Sequence, residues 1–486
     1  MIDGTEGAPM AVPMDVTAQG FMIAESRRTP MHVGGLQLFE PPEDAGPDWA
    51  RTIYERSLES PAASPLWLKR PHRSLATGGM WGWTQDDEFD LEYHARHSAL
   101  PAPGRIRELL ELVGRLHGTR LALERPLWEM HFIEGLADGR VAIYAKLHHA
   151  LVDGVAAMRL LQSALSTDPD DRDTPAPWAV RDPWDGAERD QPPLAERWRS
   201  IPGGAARSAL AISAEAAGLT STLLRTLDRG LRDESAPMAL YAPRTILNRT
   251  ITGARRVAAE HWDVERVHRV AKSADATIND VVLAMCSGAL RHYLAELDEL
   301  PEQSLVAMVP VSLTLREGGK ASVEGSAVGT ISDGNTLGTI MVKLGTDLAD
   351  PGERLAAVRA GVRSGKEAMA GMTPTEIVAM SGLGVAPAVL LPMLGLQGLA
   401  RPPFNLVISN VPGPKQPLYW HGARLTDMYP LSIPLHGQAM NITVASYDGM
   451  LNFGLTGCRR TAPSLQRLLT HLDDELSALE KAAGVG

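Results

Sequence analysis

The sequence predicts a mixed α/β fold divided into two bodies, and three observations support this prediction. The chain has 486 residues, of which 44% are hydrophobic, enough for a large core and for more than one domain. Segments with strand and helix patterns alternate in both halves, which favours a mixed sheet in each half. A polar, proline-rich stretch at 168–193 lies between the halves. Because such a composition buries little apolar area, we interpret it as a linker or a long surface loop.

The first half carries four segments with the pattern of regular structure. They are two predicted strands, at 31–39 and 141–149, and two predicted helices, at 105–121 and 155–165. A further helix is predicted for 205–231, after the polar stretch. We therefore expect an N-terminal domain over 1–190 and a linker with connecting helices over 191–240.

The second half, at 241–486, is predicted to form the other domain. A helix is predicted for 277–294 and a strand for 304–313. Two strand-like runs, at 442–447 and 450–455, flank Asp448-Gly449, a dipeptide that favours the two-residue turn of a hairpin.

The segment at 377–400 is apolar and uncharged, and its length alone would suffice to cross a bilayer. Pro387, Pro392 and several glycines interrupt it, however, and a helix in lipid would need partners for the freed backbone groups. We interpret the segment as broken apolar helices that line a core or lie against a membrane surface.

Charge and cysteine content exclude several classes of protein. The formal net charge is -11, which argues against a nucleic-acid partner and against a polybasic membrane anchor. The two cysteines, Cys286 and Cys458, provide no disulfide framework and no cysteine-based metal site. The first 19 residues lack the pattern of a secretory signal, so a cytoplasmic location is expected.

The most informative residues follow the predicted strand at 141–149. Residues alternate between the two faces of a strand, so His149 shares a face with Ile143 and Leu147, while His148 lies on the other face. Apolar surroundings disfavour the charged imidazole, so a neutral His149 could accept a proton near neutral pH, as a general base must.

Two other interpretations of this segment stay open at this point. A histidine at the end of a buried strand can be a satisfied core residue, and Asp153-Gly154 before a helix can be a turn with an N-terminal cap. His149 and Asp153 could also be proposed as metal ligands, but no cysteine and no third histidine lies nearby in the sequence, so we predict no metal site.

Several motifs, in one order along the chain, resemble those of a known family. The run His148-His149-x-x-x-Asp153-Gly154 resembles the HHxxxDG motif of the CoA-dependent acyltransferases, which peptide-synthetase condensation domains share. Five further segments resemble those of the bacterial wax ester synthase/diacylglycerol acyltransferase family. They are the segments at 29–35, 125–129, 277–284, 409–414 and 441–449.

This resemblance implies a fold and an activity. It implies two chloramphenicol-acetyltransferase-like domains, with His149 at the mouth of a tunnel between them. The implied reaction transfers a fatty acyl group from acyl-CoA to a diacylglycerol or a long-chain alcohol, with His149 as general base and no acyl-enzyme. Acyl-CoA is then a substrate, and no cofactor is held permanently. The resemblance also implies association with a membrane or lipid-inclusion surface without a membrane span; an oligomer is possible.

The resemblance also extends to particular residues. The implied catalytic set is His149, His148, Asp153 and Gly154, with Asn279 as the donor to the developing oxyanion. The implied substrate-binding set is Pro126, Leu127, Trp128, Asp280, Ser409, Asn410, Pro412 and Gly413.

Structural alternatives exist for each part of these sets. The spacing of Thr277 and Asp280 is that of a capping box at a helix start, which would make Asn279 and Asp280 structural. The segment 126–128 could simply pack between domains, and the segment 409–414 could simply turn the chain.

Two alternatives to a lipid acyltransferase also remain open. One is an acyltransferase of the same superfamily that uses a natural-product alcohol or a carrier-bound acyl donor. The other is a lipid-binding protein without activity. A panel of alcohols and diacylglycerols in a thiol-release assay would separate the three.

Overall fold

The computed structural model describes most of the chain and places every motif named above. The described residues are 12–60, 63–73, 79–180, 242–315, 321–324, 337–370, 372, 376–377, 380–381 and 401–485. The helices among them are α1 (Val16–Ala24), α2 (Trp49–Leu58), α3 (Leu91–His94), α4 (Ile106–His117), α5 (Gly154–Gln162), α6 (Val264–Ser273), α7 (Ile278–Glu296), α8 (Pro351–Met369) and α9 (Arg467–Ala482).

The strands of the described chain form two large mixed sheets and one small sheet. They are β1 (Val12–Pro13), β2 (His32–Glu40), β3 (Lys69–Arg73), β4 (Trp81–Gln85), β5 (Ala95–Ala99), β6 (Trp128–Glu134), β7 (Val141–His148), β8 (Arg255–Asp263), β9 (Val306–Leu315), β10 (Ala321–Glu324), β11 (Leu337–Lys343), β12 (Leu406–Val411), β13 (Tyr419–Trp420), β14 (Ala423–Leu431), β15 (Met440–Tyr447) and β16 (Met450–Cys458). The small sheet has the order β1-β4-β3.

The first large sheet has the order β13-β14-β2-β7-β6-β5. Strands β5 and β6 are parallel, whereas β14, β2, β7 and β6 pair antiparallel, so the sheet is mixed as predicted. The predicted strands at 31–39 and 141–149 are β2 and β7, each within one residue of the predicted bounds. The predicted helix at 105–121 is α4, which ends earlier, at the cap residue Gly118.

The pleat of β7 separates two groups of core residues. Ile143, Ala145 and Leu147 pack into a cluster with α5, whereas Ala142 and Tyr144 pack into a different cluster with α4. This is the alternation that the sequence predicts, and it follows from the period of two along a strand.

The second large sheet has the order β10-β9-β12-β15-β16-β8, and β11 pairs with β9. Strand β12 is parallel to both neighbours, and the other pairs are antiparallel. The predicted hairpin is confirmed between β15 and β16. Its turn residues Asp448 and Gly449 have φ of 44° and 79°. Positive φ at both positions defines the type I′ turn that matches the twist of a hairpin.

Helices α6 to α9 cover one face of the second sheet with the largest apolar cluster. The long helix α7 is central to this layer, and its whole middle is buried. Gly288 on α7 permits a close approach of α9, because a Cβ at this position would lie 2.0 Å from the side-chain Cδ of Glu475. Glu475 in turn pairs with the buried Arg354 of α8 at 2.5 Å. The three helices are thereby held together on one side of the sheet.

The second half of the chain also contributes to the first sheet. Strands β13 and β14 come from residues after β12, yet β14 pairs along β2 over seven residue pairs, from Arg424↔Glu40 to Leu431↔Gly34. At its end, β14 meets β16, where a Cβ on Gly454 would lie 1.9 Å from the Pro430 carbonyl oxygen. Glycine is therefore required for the two sheets to approach here.

The polar stretch between the halves differs from its prediction. The sequence predicts a linker or a long surface loop for 168–193, of which 181–193 lie outside the described residues. In the described part, Trp178 is fully buried and stacks on Trp128 with ring centroids 5.8 Å apart. The prediction is wrong for this part, because one tryptophan buries a large area whatever the polarity of its neighbours.

Two predicted features lie largely outside the described residues. They are the helix at 205–231 and most of the apolar segment at 377–400. Among the helices that the structure describes, none has the length and apolarity that a membrane crossing requires.

Candidate active site

A cavity of ≈ 350 Å³ lies where the two large sheets meet. The first sheet contributes residues of β2 and the end of β7, and α5 completes that wall. The second sheet contributes residues of β9, β12 and β15. Helix α1 reaches the cavity through Phe21. The lining is mainly apolar, which suits a site for acyl chains or other lipid groups.

His149 lies at the end of β7 and lines this cavity. Its backbone N–H donates to the Met31 carbonyl oxygen at 2.8 Å, which fixes the position of the residue against the start of β2. The imidazole stacks on Phe21, with ring centroids 4.1 Å apart and an interplanar angle of 17°. The ring is thus held in place by an apolar neighbour within the cavity.

The surroundings of His149 favour the neutral imidazole. Burial lowers the pKa of His149 below its ordinary value, while the charge of Asp153 and a hydrogen bond to its own backbone act in the opposite direction. Burial is the largest of these causes. A histidine that is neutral at neutral pH is able to accept a proton.

Asp153 and Gly154 also line the cavity, at the start of α5. The Asp153 carboxylate caps the helix, accepting a hydrogen bond from the Ala156 backbone N–H at 2.7 Å. The cap interpretation of this residue is therefore confirmed, and the same carboxylate lies near enough to His149 to affect its pKa. Asp153 both starts the helix and acts on the histidine electrostatically.

His148 points away from the cavity, to the opposite face of β7. Its side chain is 1% exposed, and its Nδ1 accepts a hydrogen bond from the Ala150 backbone N–H at 3.1 Å. Since Nδ1 accepts, Nε2 carries the proton, and it lies 3.5 Å from the Glu25 carboxylate. His148 therefore shapes the turn that carries His149, and it does not line the cavity.

Glu25 is a residue of this site that the sequence analysis missed. It follows α1, and its side chain is 3% exposed. The carboxylate accepts hydrogen bonds from the Met31 backbone N–H and from Arg120 Nε, the latter at 2.7 Å. With His148 as its third neighbour, Glu25 joins the end of α1 to β2 and β7. No local pattern marks it, because its neighbours come from three separate parts of the chain.

Asn279 and Asp280 lie at the start of α7, and neither is among the residues that line the cavity. Thr277 and Asp280 form the predicted capping box: Thr277 N donates to Asp280 Oδ2 at 2.9 Å, and Asp280 N donates to Thr277 Oγ1 at 3.2 Å. The Asn279 side chain accepts a hydrogen bond from Asn410 Nδ2 at 3.5 Å. The structure thus pairs the two asparagines on the helix-covered side of the second sheet.

The segment 126–128 packs into the first half of the molecule. Trp128 Nε1 donates to the Trp67 carbonyl oxygen at 2.8 Å, and both indoles are fully buried. The Leu127 carbonyl accepts from His148 N at 3.0 Å. Pro126, Leu127 and Trp128 are absent from the cavity lining and support the strand end that carries the two histidines.

The segment 409–413 divides between two sides of the second sheet. Ser409 lines the cavity, whereas Asn410 faces α7. Pro412 and Gly413 follow the strand, and a Cβ on Gly413 would lie 2.3 Å from the Ser446 carbonyl oxygen. This close approach explains the glycine, since it brings the segment against β15.

The second sheet also places in the cavity polar side chains to which the sequence analysis assigns no role. Asn441 and Thr443 on β15 line it beside Ser409, and Gln438 lies just before the strand. A strand with one polar residue in two is a common pattern, and only the tertiary structure shows which face meets the cavity.

The described residues contain no group of three or more metal-ligating side chains. Cys286 and Cys458 are buried outside the cavity lining. His149 and the polar side chains of Ser409, Asn441 and Thr443 line the cavity.

Comparison with known proteins gives a consistent result over most of the chain. Residues 14–282 match the model of the wax ester synthase/diacylglycerol acyltransferase catalytic domain. Residues 333–480 match the model of the C-terminal domain of the same family. A probable diacylglycerol O-acyltransferase of Mycobacterium tuberculosis is 43% identical over 468 residues, which cover 96% of this chain and 98% of that protein.

Two solved structures resemble the chain to different degrees. The wax ester synthase/diacylglycerol acyltransferase from Marinobacter aquaeolei has a TM-score of 0.74 at 38% identity, covering 97% of this chain and 100% of that chain. The first condensation domain of the CDA synthetase has a TM-score of 0.55 at 15% identity, covering 98% and 97%. The second match shows the shared two-domain fold alone.

Proposed function

The chain belongs to the wax ester synthase/diacylglycerol acyltransferase family, and on this premise we propose that it transfers a fatty acyl group from acyl-CoA to a lipid hydroxyl. The acceptor is a diacylglycerol, a long-chain alcohol, or both, and His149 is the general base. The observation that carries this proposal is the position of His149 in an apolar cavity between the two sheets.

The reaction needs one proton transfer before the ester can form. His149 takes the proton of the acceptor hydroxyl as the hydroxyl oxygen attacks the thioester carbon. The tetrahedral intermediate then collapses, the C–S bond breaks, and the CoA sulfur takes the proton back from the imidazolium. The products are the ester and free CoA, and no covalent bond to the protein forms. General-base assistance of this kind accelerates a reaction by about 100- to 10,000-fold.

The cavity supports a lipid substrate through its shape and lining. Met31, Val33, Leu147, Met158 and Leu161 form an apolar wall around His149. Such a wall excludes water, so an acyl-CoA thioester would meet an alcohol in preference to water. Charge interactions at the site are stronger for the same reason.

A thiol-release assay over a panel of acceptors tests the proposal. We expect free CoA to appear only when a diacylglycerol or a long-chain alcohol is present with acyl-CoA. The His149→Ala variant should lose this release while its thermal unfolding stays that of the wild type. Turnover retained by His149→Ala would refute the role of His149, and release without any lipid acceptor would refute acyl transfer to a lipid.

The protein is further expected to work at a membrane or lipid-inclusion surface. Helix α1 contains no charged residue, and Ile23 on this helix is 53% exposed while Phe21 of the same helix lines the cavity. Met80, before β4, is also largely exposed. Exposed apolar groups of this kind can insert among lipids. Sedimentation with lipid vesicles tests this, and Ile23→Asp should weaken it.

A further inference from the structure

The cavity face of the second sheet carries a small polar group in an otherwise apolar wall. Met308, Pro310 and Val407 line the cavity from this sheet, but so do Ser409, Asn441 and Thr443. Ser409 and Thr443 are direct partners in the parallel pairing of β12 and β15, so their side chains lie side by side on one face. Asn441 precedes Thr443 by two residues and shares that face.

A hydrogen bond within this group orients the Asn441 amide. Thr443 Oγ1 donates to Asn441 Oδ1 at 2.8 Å, because an amide oxygen can only accept. The amide oxygen is thereby occupied, and the two N–H donors of Nδ2 are directed away from Thr443. Asn441 and Thr443 are both buried, so the pair is fixed within the protein. An amide in an apolar cavity is costly unless it has a partner, and here a ligand can supply one.

The arrangement of the reacting groups indicates which substrate atom contacts the Asn441 amide. The acceptor hydroxyl must lie at His149, on the wall of the first sheet, to lose its proton. The thioester carbon then lies next to that hydroxyl in the cavity. The alcohol attacks at an angle to the C=O bond, so the carbonyl oxygen lies to one side of the line of attack, where a donor on the wall of the second sheet can reach it. That oxygen becomes negatively charged as the alcohol attacks, and a fixed N–H donor stabilises it most at this moment.

We propose that Asn441, oriented by Thr443, donates a side-chain N–H to the thioester carbonyl oxygen of the acyl donor and stabilises the oxyanion. This inference rests on the proposed function. Asn441 is then a catalytic residue, and Thr443 is a positioning residue. The assignment replaces Asn279, which the resemblance implies for this role but which lies at the start of α7, away from the cavity lining.

Variants of equal size test the two roles separately. Asn441→Leu removes the donor without opening a large cavity, and its kcat should fall about 100- to 1,000-fold. Its KM for acyl-CoA should change by no more than about threefold, since the interaction strengthens only in the transition state. Thr443→Val should lower kcat about tenfold, because the amide loses the hydrogen bond from Thr443 that orients it. Thr443→Ser keeps the hydroxyl and should restore kcat.

The chain offers a matched control one strand away. Thr456 on β16 pairs with Asn441 in the sheet, is fully buried and is absent from the cavity lining. Its hydroxyl has no hydrogen-bond partner among the described residues. Thr456→Val is the same chemical change as Thr443→Val and should leave both kcat and KM at wild-type values.

The outcomes separate this inference from the proposed function. If His149→Ala is inactive but Asn441→Leu keeps kcat within about threefold of the wild type, Asn441 is not the oxyanion donor and only this inference fails. If His149→Ala is active, the base assignment fails first. If Asn441→Leu does not fold, the three threonine variants test the role of Asn441 instead. The inference is refuted if Thr443→Val, Thr443→Ser and Thr456→Val all have the same kcat.

Discussion

The two faces of β7 carry neighbouring histidines in opposite environments. His149 faces the cavity with Leu147, between apolar side chains and Phe21. His148 faces a buried polar layer that also contains Lys146 and Tyr144. One residue along the chain therefore separates a histidine that is open to substrates from one that is enclosed by protein partners.

The polar face of β7 holds its groups in paired contacts. Lys146 Nζ lies 3.0 Å from Glu129 Oε2 and donates to the carbonyl oxygens of Leu116 and Thr119 at 3.2 and 2.9 Å. Tyr144 and His117 share a hydrogen bond of 2.7 Å. Burial would raise the pKa of Glu129, but hydrogen bonding to His131 and the charge of Lys146 lower it to about 2. Lys146, Glu129, Tyr144 and His117 therefore all have hydrogen-bonding or charged partners within the protein.

This difference shows how the two faces of one strand can carry a structural role and a catalytic role separately. A buried group whose hydrogen-bonding capacity is used by the protein stabilises a conformation, whereas a group left facing a cavity can act on a ligand. The pleat of one strand assigns the two roles to adjacent residues of the same type.

Matched substitutions of the two histidines test most directly whether the two side chains have different roles. We expect His149→Gln to lower kcat by about 100- to 10,000-fold, with the free energy of unfolding unchanged, because only the base is lost. His148→Gln should instead lower the free energy of unfolding by about 1–3 kcal/mol, with a much smaller loss of kcat. Chemical denaturation and steady-state kinetics measure both. The comparison is wrong if His148→Gln is the less active of the two.

The Lys146–Glu129 pair tests whether the polar face is structural. Lys146→Met removes the buried cation 3.0 Å from the Glu129 carboxylate, which keeps the partly exposed Arg96 at 3.5 Å, and the free energy of unfolding should fall by about 1–3 kcal/mol. The double variant Lys146→Met/Glu129→Leu should recover much of this loss, since neither charge is then left buried. Urea denaturation of the two variants makes the test. Equal stability of the single variant and the wild type would contradict it.

Glu25 contacts both His148 and the backbone of Met31, which binds His149, so its substitution tests how the two faces of β7 are connected. Glu25→Gln weakens the contacts to Met31, Arg120 and His148 together, and we expect the free energy of unfolding to fall by about 1–3 kcal/mol. Turnover should fall as well, because Met31 binds the His149 backbone. Glu124→Gln is the matched control, since Glu124 is exposed. Loss of activity in both variants to the same degree would exclude a specific role for Glu25.

Of the effects predicted here, we expect the smallest for the pH dependence of kcat/KM. Burial lowers the pKa of His149, so the base stays neutral and activity should persist at pH values below the ordinary histidine pKa of about 6.5. Activity should then fall as the pH decreases through the lowered pKa. Asp153→Asn keeps a capping side chain but removes the charge that raises this pKa, so the fall should move to lower pH. A shift to higher pH would contradict the assignment.

Features that depend on neighbours along the chain could be predicted from the sequence. The alternation along β7, the turn at Asp448-Gly449 and the cap at Asp153 each involve residues within a few positions of one another. The capping box of Thr277 and Asp280 was one of two interpretations, and the contacts confirm it. In such cases the backbone geometry of one helix turn or one hairpin sets the residue types.

Features that depend on distant segments could not be predicted in this way. Glu25 gains its role from Met31, Arg120 and His148, and Trp178 is buried against Trp128 although its neighbours in sequence are polar. The pairing of β14 with β2 joins residues almost 400 positions apart in the chain. No periodicity of a single segment contains this information.

The mixed fold with two bodies, the family resemblance and the position of His149 on the apolar face of its strand could all be inferred from the order of the amino acids. The tertiary structure alone decided that this face opens on a cavity, that the other wall presents Asn441 and Thr443, and that Asn279 lies elsewhere. The physical reason is the range of the interactions. Hydrogen bonding and side-chain periodicity within one element act between near neighbours, whereas a cavity exists only where two sheets built from separate segments pack against each other.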